Sequence, residues 1–117
     1  MDGSRRLFPS TSMATVVGVK QVGVHTIVTW AVEERERVVG YVRAQQRRTQ
    51  ELPGCLACHW TADLDDPRVF HEWEWWESEE AFGNHVENGP KFPLEARELI
   101  SRVLTYRYEI DSATKLH

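Results

Sequence analysis

The sequence predicts an α+β fold, a ferredoxin-like βαββαβ unit built on one antiparallel sheet. Three observations carry that reading. Four runs rich in β-branched and aromatic residues alternate with helical and turn segments in the order β-α-β-β-α-β, with one extra short helix before the last strand. Pro53-Gly54 and the run Asp63-Leu64-Asp65-Asp66-Pro67 stand where the chain must reverse. At 117 residues, 41% hydrophobic and 27% charged, the chain is one ordinary globular domain. A domain of this size buries roughly two-thirds of its unfolded surface, so it can hold a core without disulfides or metal.

Residues 1–22 read as a flexible N-terminal extension, 23–112 as the domain and 113–117 as a polar tail. Arg5-Arg6-Leu7-Phe8 is not followed by the apolar run of about 7–15 residues that a secretory signal needs. Ala14–Val19 offers at most a short strand. Val24–Val32, VHTIVTWAV, is the first strand. Glu33–Leu52 is helical: Glu33, Glu34 and Glu36 crowd its first turn and Arg47 and Arg48 its end, as the helix dipole favours. Its apolar face is Val38, Val39, Val42 and Leu52, with polar gaps at Gln45 and Thr49. Cys55–Ala62 and Val69–Trp76 form a hairpin across the Asp-rich turn. Ser78 caps a helix with Glu79 and Glu80 in its first turn, running to Asn88 and stopped by Gly89. Pro93 opens a further helix to Leu99 or Ile100. Val103–Ile110 alternates Leu104, Tyr106, Tyr108 and Ile110 against Thr105, Arg107 and Glu109, the period of a strand.

Charge narrows the function classes. Fourteen basic against 18 acidic residues leave a net charge of −4, with the basic residues dispersed, a poor match to nucleic acid. No apolar run approaches the ~18 residues of a membrane span. The expectation is a cytoplasmic protein. The aromatic load is unusual. Trp occupies positions 30, 60, 73, 75 and 76. On a strand, Trp73 and Trp75 share one face and Trp76 takes the other, so both faces should be covered. Helices cover one face of such a sheet. A symmetric homodimer would cover the other, with a ligand-sized space near the seam.

The Cys55-Leu56-Ala57-Cys58-His59 run matches the C-x-x-C-H haem-attachment pattern. Attachment requires export, and a strand would put Cys55 and Cys58 on opposite faces, which also argues against a disulfide or a redox pair. Free thiols are expected. Cys55, Cys58, His59 and His71 do not have the spacing of a zinc finger.

The lead Glu51-Leu52-Pro53-Gly54-Cys55 and the run Glu74, Trp76, Ser78, Ala81 followed by the helical His85 resemble the antibiotic biosynthesis monooxygenase family. The likeness is clearest over 51–88. The resemblance implies a dimeric α+β barrel and cofactor-free oxygenation of phenolic substrates such as anthrones and hydroquinones. It also speaks against the family's haem-degrading branch: His85 stands where that branch keeps a Trp, the first strand has no Asn, and no His lies between His85 and His117. Triplet oxygen reacts poorly with closed-shell molecules, but an electron-rich phenolate can give it one electron. The enzyme then needs a base, donors for the anion and a dry pocket. His85 is the candidate base, since imidazole exchanges protons near pH ~6.5. Trp76 is a candidate donor to a substrate oxygen. Glu74 is a candidate to orient an imidazole or bind a hydroxyl, because a lone buried carboxylate is costly. Trp73, His71, His59, His25, Phe82 and Arg107 are candidate substrate contacts, Arg107 alternatively pairing with Glu72 or Glu74. No cofactor and no metal are expected. The partners expected are a second copy, a phenolic substrate and O2. An aromatic polyketide cyclase on the same scaffold and a non-catalytic aromatic-ligand binder are the alternatives.

Overall fold

A computed structural model describes residues 20–117. The expected strand at Ala14–Val19 lies outside them. The elements are β1 (Gln21–Trp30), α1 (Arg35–Gln50), β2 (Cys55–Ala62), β3 (Val69–Trp76), α2 (Glu79–Asn88), α3 (Leu94–Arg97) and β4 (Ile100–Ile110). The four strands form one sheet in the order β2-β3-β1-β4, and every pairing is antiparallel. This is the ferredoxin-like arrangement. β1 starts at Gln21, inside the segment assigned to the extension, because Gln21 and Val22 pair with Ile110 and Glu109. β4 starts at Ile100 rather than Val103, and α3 is correspondingly short.

One sheet face is packed under helices. Val22, Val24, Val28 and Trp30 point there from β1, and Phe70, Glu72, Glu74 and Trp76 from β3. The core has two apolar ends. One gathers Val28, Trp30, Val38, Val42, Phe70 and Ala96; the other gathers Val22, Val24 and Trp76 under Ala81 and Phe82. Trp30 and Trp76, both fully buried, anchor one end each. Truncating either to Ala would cost about 3–5 kcal/mol. On α1 the buried stripe is Val38, Val42, Gln45 and Thr49, so the polar gaps of the sequence pattern do face inward.

β2 is an edge strand, and α1 covers its edge with amide side chains. Gln46 Oε1 accepts from the Trp60 N–H at 2.7 Å, and Gln50 Nε2 donates to the Cys58 carbonyl at 2.8 Å. These bonds occupy one donor and one acceptor of the kind through which an edge recruits other chains. Arg35, at the start of α1, donates to the carbonyls of Asp63 and Asp66 and so ties the β2–β3 turn to the helix.

The register of β2 corrects one expectation. A bulge between Cys55 and Ala57 sets Cys55 opposite Trp76 and Cys58 opposite Glu74. The extra residue restores the phase, so both cysteines lie on the helix-covered side rather than on opposite faces. Both are free thiols.

Gly54 enters β2 with φ +83°, and a Cβ there would overlap Ala81 of α2. Gly54→Ala combines left-handed strain with a steric clash. It should lower stability by about 1–3 kcal/mol in urea unfolding monitored by Trp fluorescence.

Candidate functional site

The inward row of β3 is Phe70, Glu72, Glu74, Trp76: apolar at both ends, carboxylic in the middle. The strand period alone therefore delivers two carboxyl groups into the core between its two apolar ends. They are 92% buried, each at 8% exposure. Opposite them stand Thr26 and Val24 on β1 and Trp60 and Cys58 on β2. α2 lies above and supplies His85.

Glu74 is the hub. Its Oε1 accepts from Trp76 Nε1 at 2.9 Å, and its Oε2 lies 3.5 Å from His85 Nε2. Trp76 stacks under His85, with ring centroids 4.8 Å apart and planes 22° apart. Burial pushes the Glu74 carboxyl up, but hydrogen bonds from His85, Glu72 and Trp76 outweigh it and hold the group below its ordinary value. Glu72 goes the other way. Burial first, then the charge of Glu74, push it up to about 9, so it keeps its proton and offers it to Glu74. Two adjacent carboxylates in a poor dielectric cannot both ionise at neutral pH. Cys58, fully buried, donates its S–H to Glu72 Oε2 at 3.6 Å; burial and then the Glu72 charge raise the thiol. Cys55 is pushed up to about 12, by burial and then by Glu74.

His85 thus has one nitrogen at Glu74. The other, Nδ1, is buried without a hydrogen-bond partner. Gly89 lies against it: a Cβ at that position would overlap both Nδ1 and the His85 carbonyl. The glycine that stops α2 therefore also avoids a clash with the imidazole.

The remaining candidates fall into two groups. Phe82 and Arg107 are on the same side as His85. Phe82 lies 6.4 Å from Trp76, and the Arg107 guanidinium sits 5.9 Å over the Phe82 ring. Arg107 pairs with Glu79, not with Glu72 or Glu74 as the strand pattern allowed, because it projects from β4 toward the first turn of α2. Trp76 spends its N–H on Glu74 and is wholly buried, so it holds the carboxylate rather than presenting a free donor.

His25, His71, Trp73 and His59 lie across the sheet, on the face without helices. His25 and Trp73 stack at 3.7 Å and 9°. His71 Nε2 bonds Asp63 Oδ1 at 2.9 Å, and His71 Nδ1 lies 2.9 Å from His25 Nε2. With Asp63 ionised, the only neutral arrangement is His71 donating to Asp63 and His25 donating to His71. The hydrogen bond from His71 and those from the Asp66 and Asp65 amides hold Asp63 down at about 2. Burial, then the charge of His71, lowers His25. His59 is exposed, so neither it nor His71 joins the cysteines. Asp63, Glu72 and Cys58 are the members that sequence reading passed over. Glu72 was legible in the inward alternation of β3. Asp63 looked like turn chemistry, and Cys58 depended on the bulge.

Two surface hollows lie elsewhere on the domain. One of about 570 Å³ runs between Pro53 and the outer side of α2, lined by Ser78, Ala81 and Asn84. Another of about 280 Å³ lies between Val42, Gln46, Trp60 and Phe70. Neither includes His85. Among the described residues, no helix is long and apolar enough to cross a membrane.

The family model for antibiotic biosynthesis monooxygenases matches residues 22–90, more than half of the chain, from β1 through α2 and its stop. The chain belongs to the antibiotic biosynthesis monooxygenase family. Solved structures agree on the fold of this monooxygenase-family chain. A protein of unknown function from Bacteroides thetaiotaomicron, described as a possible oxidoreductase, superposes with TM-score 0.68 at 16% identity, covering 78% of this chain and 98% of that one. A provisional antibiotic biosynthesis monooxygenase from Deinococcus radiodurans gives TM-score 0.67 at 20% identity, covering 82% and 98%. A further provisional member from Nitrosomonas europaea gives 0.64 at 15%, covering 77% and 89%. No curated protein matches the sequence. Family membership supports a monooxygenase-like enzymatic role in general.

The Asp63–His71 pair carries a pH signature. Asp63 is depressed in the folded state, so its contribution is present above the ordinary carboxyl value of 3.8 and is lost as pH falls toward about 2. Asp63→Asn should be less stable than wild type at pH 6, and the gap should close between pH ~4 and ~2 in acid-titrated thermal melts.

Proposed function

We propose that this chain is a cofactor-independent monooxygenase that oxidises a hydroquinone, anthrone or similar phenolic substrate with O2, with His85 as its base. The Glu74–His85 pair carries the reading. A carboxylate held ionised beside Nε2 takes the imidazole N–H there and leaves the Nδ1 lone pair free. Nδ1 is buried and unpartnered, and Gly89, which has no Cβ to clash with it, lies alongside. A substrate hydroxyl placed there would pass its proton to Nδ1. The resulting phenolate gives one electron to O2, and the substrate radical and superoxide combine at carbon. Loss of water from the peroxide then leaves the quinone oxygen, so one O2 yields one incorporated oxygen and one water. Glu74 and Trp76 act as positioning residues: Glu74 holds the ring's tautomer and Trp76 holds Glu74.

Admission of a ring to this site requires α2 to yield. That helix contributes no fully buried residue, which makes it the least firmly held cover of the core. Measured oxygen uptake on a panel of hydroquinones and anthrones should exceed autoxidation and fall at least about 100-fold in His85→Ala. Uptake unchanged in that variant would remove His85 from the role. Turnover without oxygen would identify a cyclase, and ligand-induced stabilisation without turnover a binder.

The same proposal includes a homodimer formed through the helix-free face. Trp73, Tyr106 and Tyr108 are about half exposed there, at 47%, 49% and 51%. Aromatic surface of this kind around a rigid Asp–His–His chain suits a self-complementary interface. Sedimentation velocity should show a dimer, and Trp73→Glu a monomer with unchanged circular dichroism. A wild-type monomer at micromolar concentration would overturn the pairing.

A further inference from the structure

Cys58 and Glu72 have no part in the oxygenation chemistry, yet they complete a cluster of unusual composition. The Cys58 Sγ and one carboxyl oxygen each of Glu72 and Glu74 lie within 4.8 Å of one another, and all three residues are buried. His85 Nε2 stands at the edge of this group, 3.5 Å from Glu74 Oε2. We infer that Cys58, Glu72 and Glu74, closed by His85, bind a borderline divalent cation of the zinc class.

Donor type sets the class. Mg²⁺ and Ca²⁺ take oxygen ligands alone, whereas a thiolate with carboxylates and an imidazole suits Zn²⁺ or Co²⁺. Spacing agrees. Zinc–sulfur and zinc–oxygen bonds of about 2.3 and 2.0 Å in a tetrahedron place neighbouring donors about 3–4 Å apart. The Cys58–Glu72 and His85–Glu74 separations are 3.6 and 3.5 Å. Charge points the same way. Among the described residues, His85 is the one basic side chain within ion-pair distance of either carboxylate. A dication answers both carboxyl groups at once: M²⁺ with the Cys58 thiol, the Glu72 acid, the Glu74 carboxylate and neutral His85 gives the bound ion and two released H⁺. Trp76 stays on Glu74 Oε1 and supplies the outer-shell bond that fixes the carboxylate. α2, with no fully buried residue, is the route of entry.

Metal binding at this site shares Glu74 and His85 with the monooxygenase reading and opposes it. A metal on Glu74 and His85 takes the base out of use, so loading should silence oxygen uptake while metal binding itself is read without activity. The test uses the full chain stripped by chelator and titrated with Co²⁺. Expected are one cobalt per chain, a thiolate-to-cobalt charge-transfer band in the near ultraviolet and its loss on adding Zn²⁺. Cys58→Ser should abolish the band, and Glu72→Gln should weaken cobalt binding by about tenfold or more, both with wild-type circular dichroism. Cys55→Ser should keep the band. No band in the wild type, or a band that survives Cys58→Ser, would overturn the inference. If Cys58→Ser does not fold, Glu72→Gln with unchanged affinity would overturn it equally.

Discussion

Two carboxyl groups side by side in the middle of a hydrophobic core are the constraint around which the rest of this domain is arranged. β3 cannot avoid them, since the inward row that seats Phe70 and Trp76 also carries Glu72 and Glu74. An unpaired buried carboxylate costs several kcal/mol. The surrounding groups answer that cost in sequence. Trp76 and His85 hold Glu74 as an anion, Glu72 keeps its proton, and Cys58 donates to Glu72. The apolar core is consequently split into two ends, with the polar cluster between them.

That arrangement ties function to packing. Trp76 is at once the anchor of one core end, the floor under His85 and the donor to Glu74. A substitution there would disturb stability and chemistry together, so Trp76 cannot be assigned to either alone by a loss of activity. Glu72 and Cys58 separate the two more cleanly, because Cys58 bonds Glu72 and neither belongs to the apolar ends. The oxygenase and metal readings compete for the same Glu74 oxygen, and the occupant at that oxygen decides whether His85 is a base or a ligand.

The two faces of the sheet divide the histidines by the same period-two rule. His85 comes from α2 over the covered face, whereas His25 and His71 stand on the open face in a chain that ends at Asp63. Candidate contacts that look alike in sequence thus belong to two environments separated by the thickness of a sheet. One is a closed, carboxylate-rich interior. The other is a half-exposed aromatic surface.

Sequence by itself determined the element order, the hairpin, the Ser78 cap and the Gly89 stop, because hydrophobic period and turn chemistry act over a few residues and do not await the fold. It also determined that Trp73 and Trp75 oppose Trp76, since alternation along one strand is fixed by the backbone. The tertiary structure decided everything that needed two segments in register. The bulge after Cys55 turned Cys58 inward, and the short β2–β3 turn brought Asp63 to His71. The lie of α2 over β3 set His85 against Glu74 and gave Arg107 to Glu79. Each depends on a shift of one residue between strands or one turn of a helix. Such shifts cost little locally, and the packing of the whole domain selects among them.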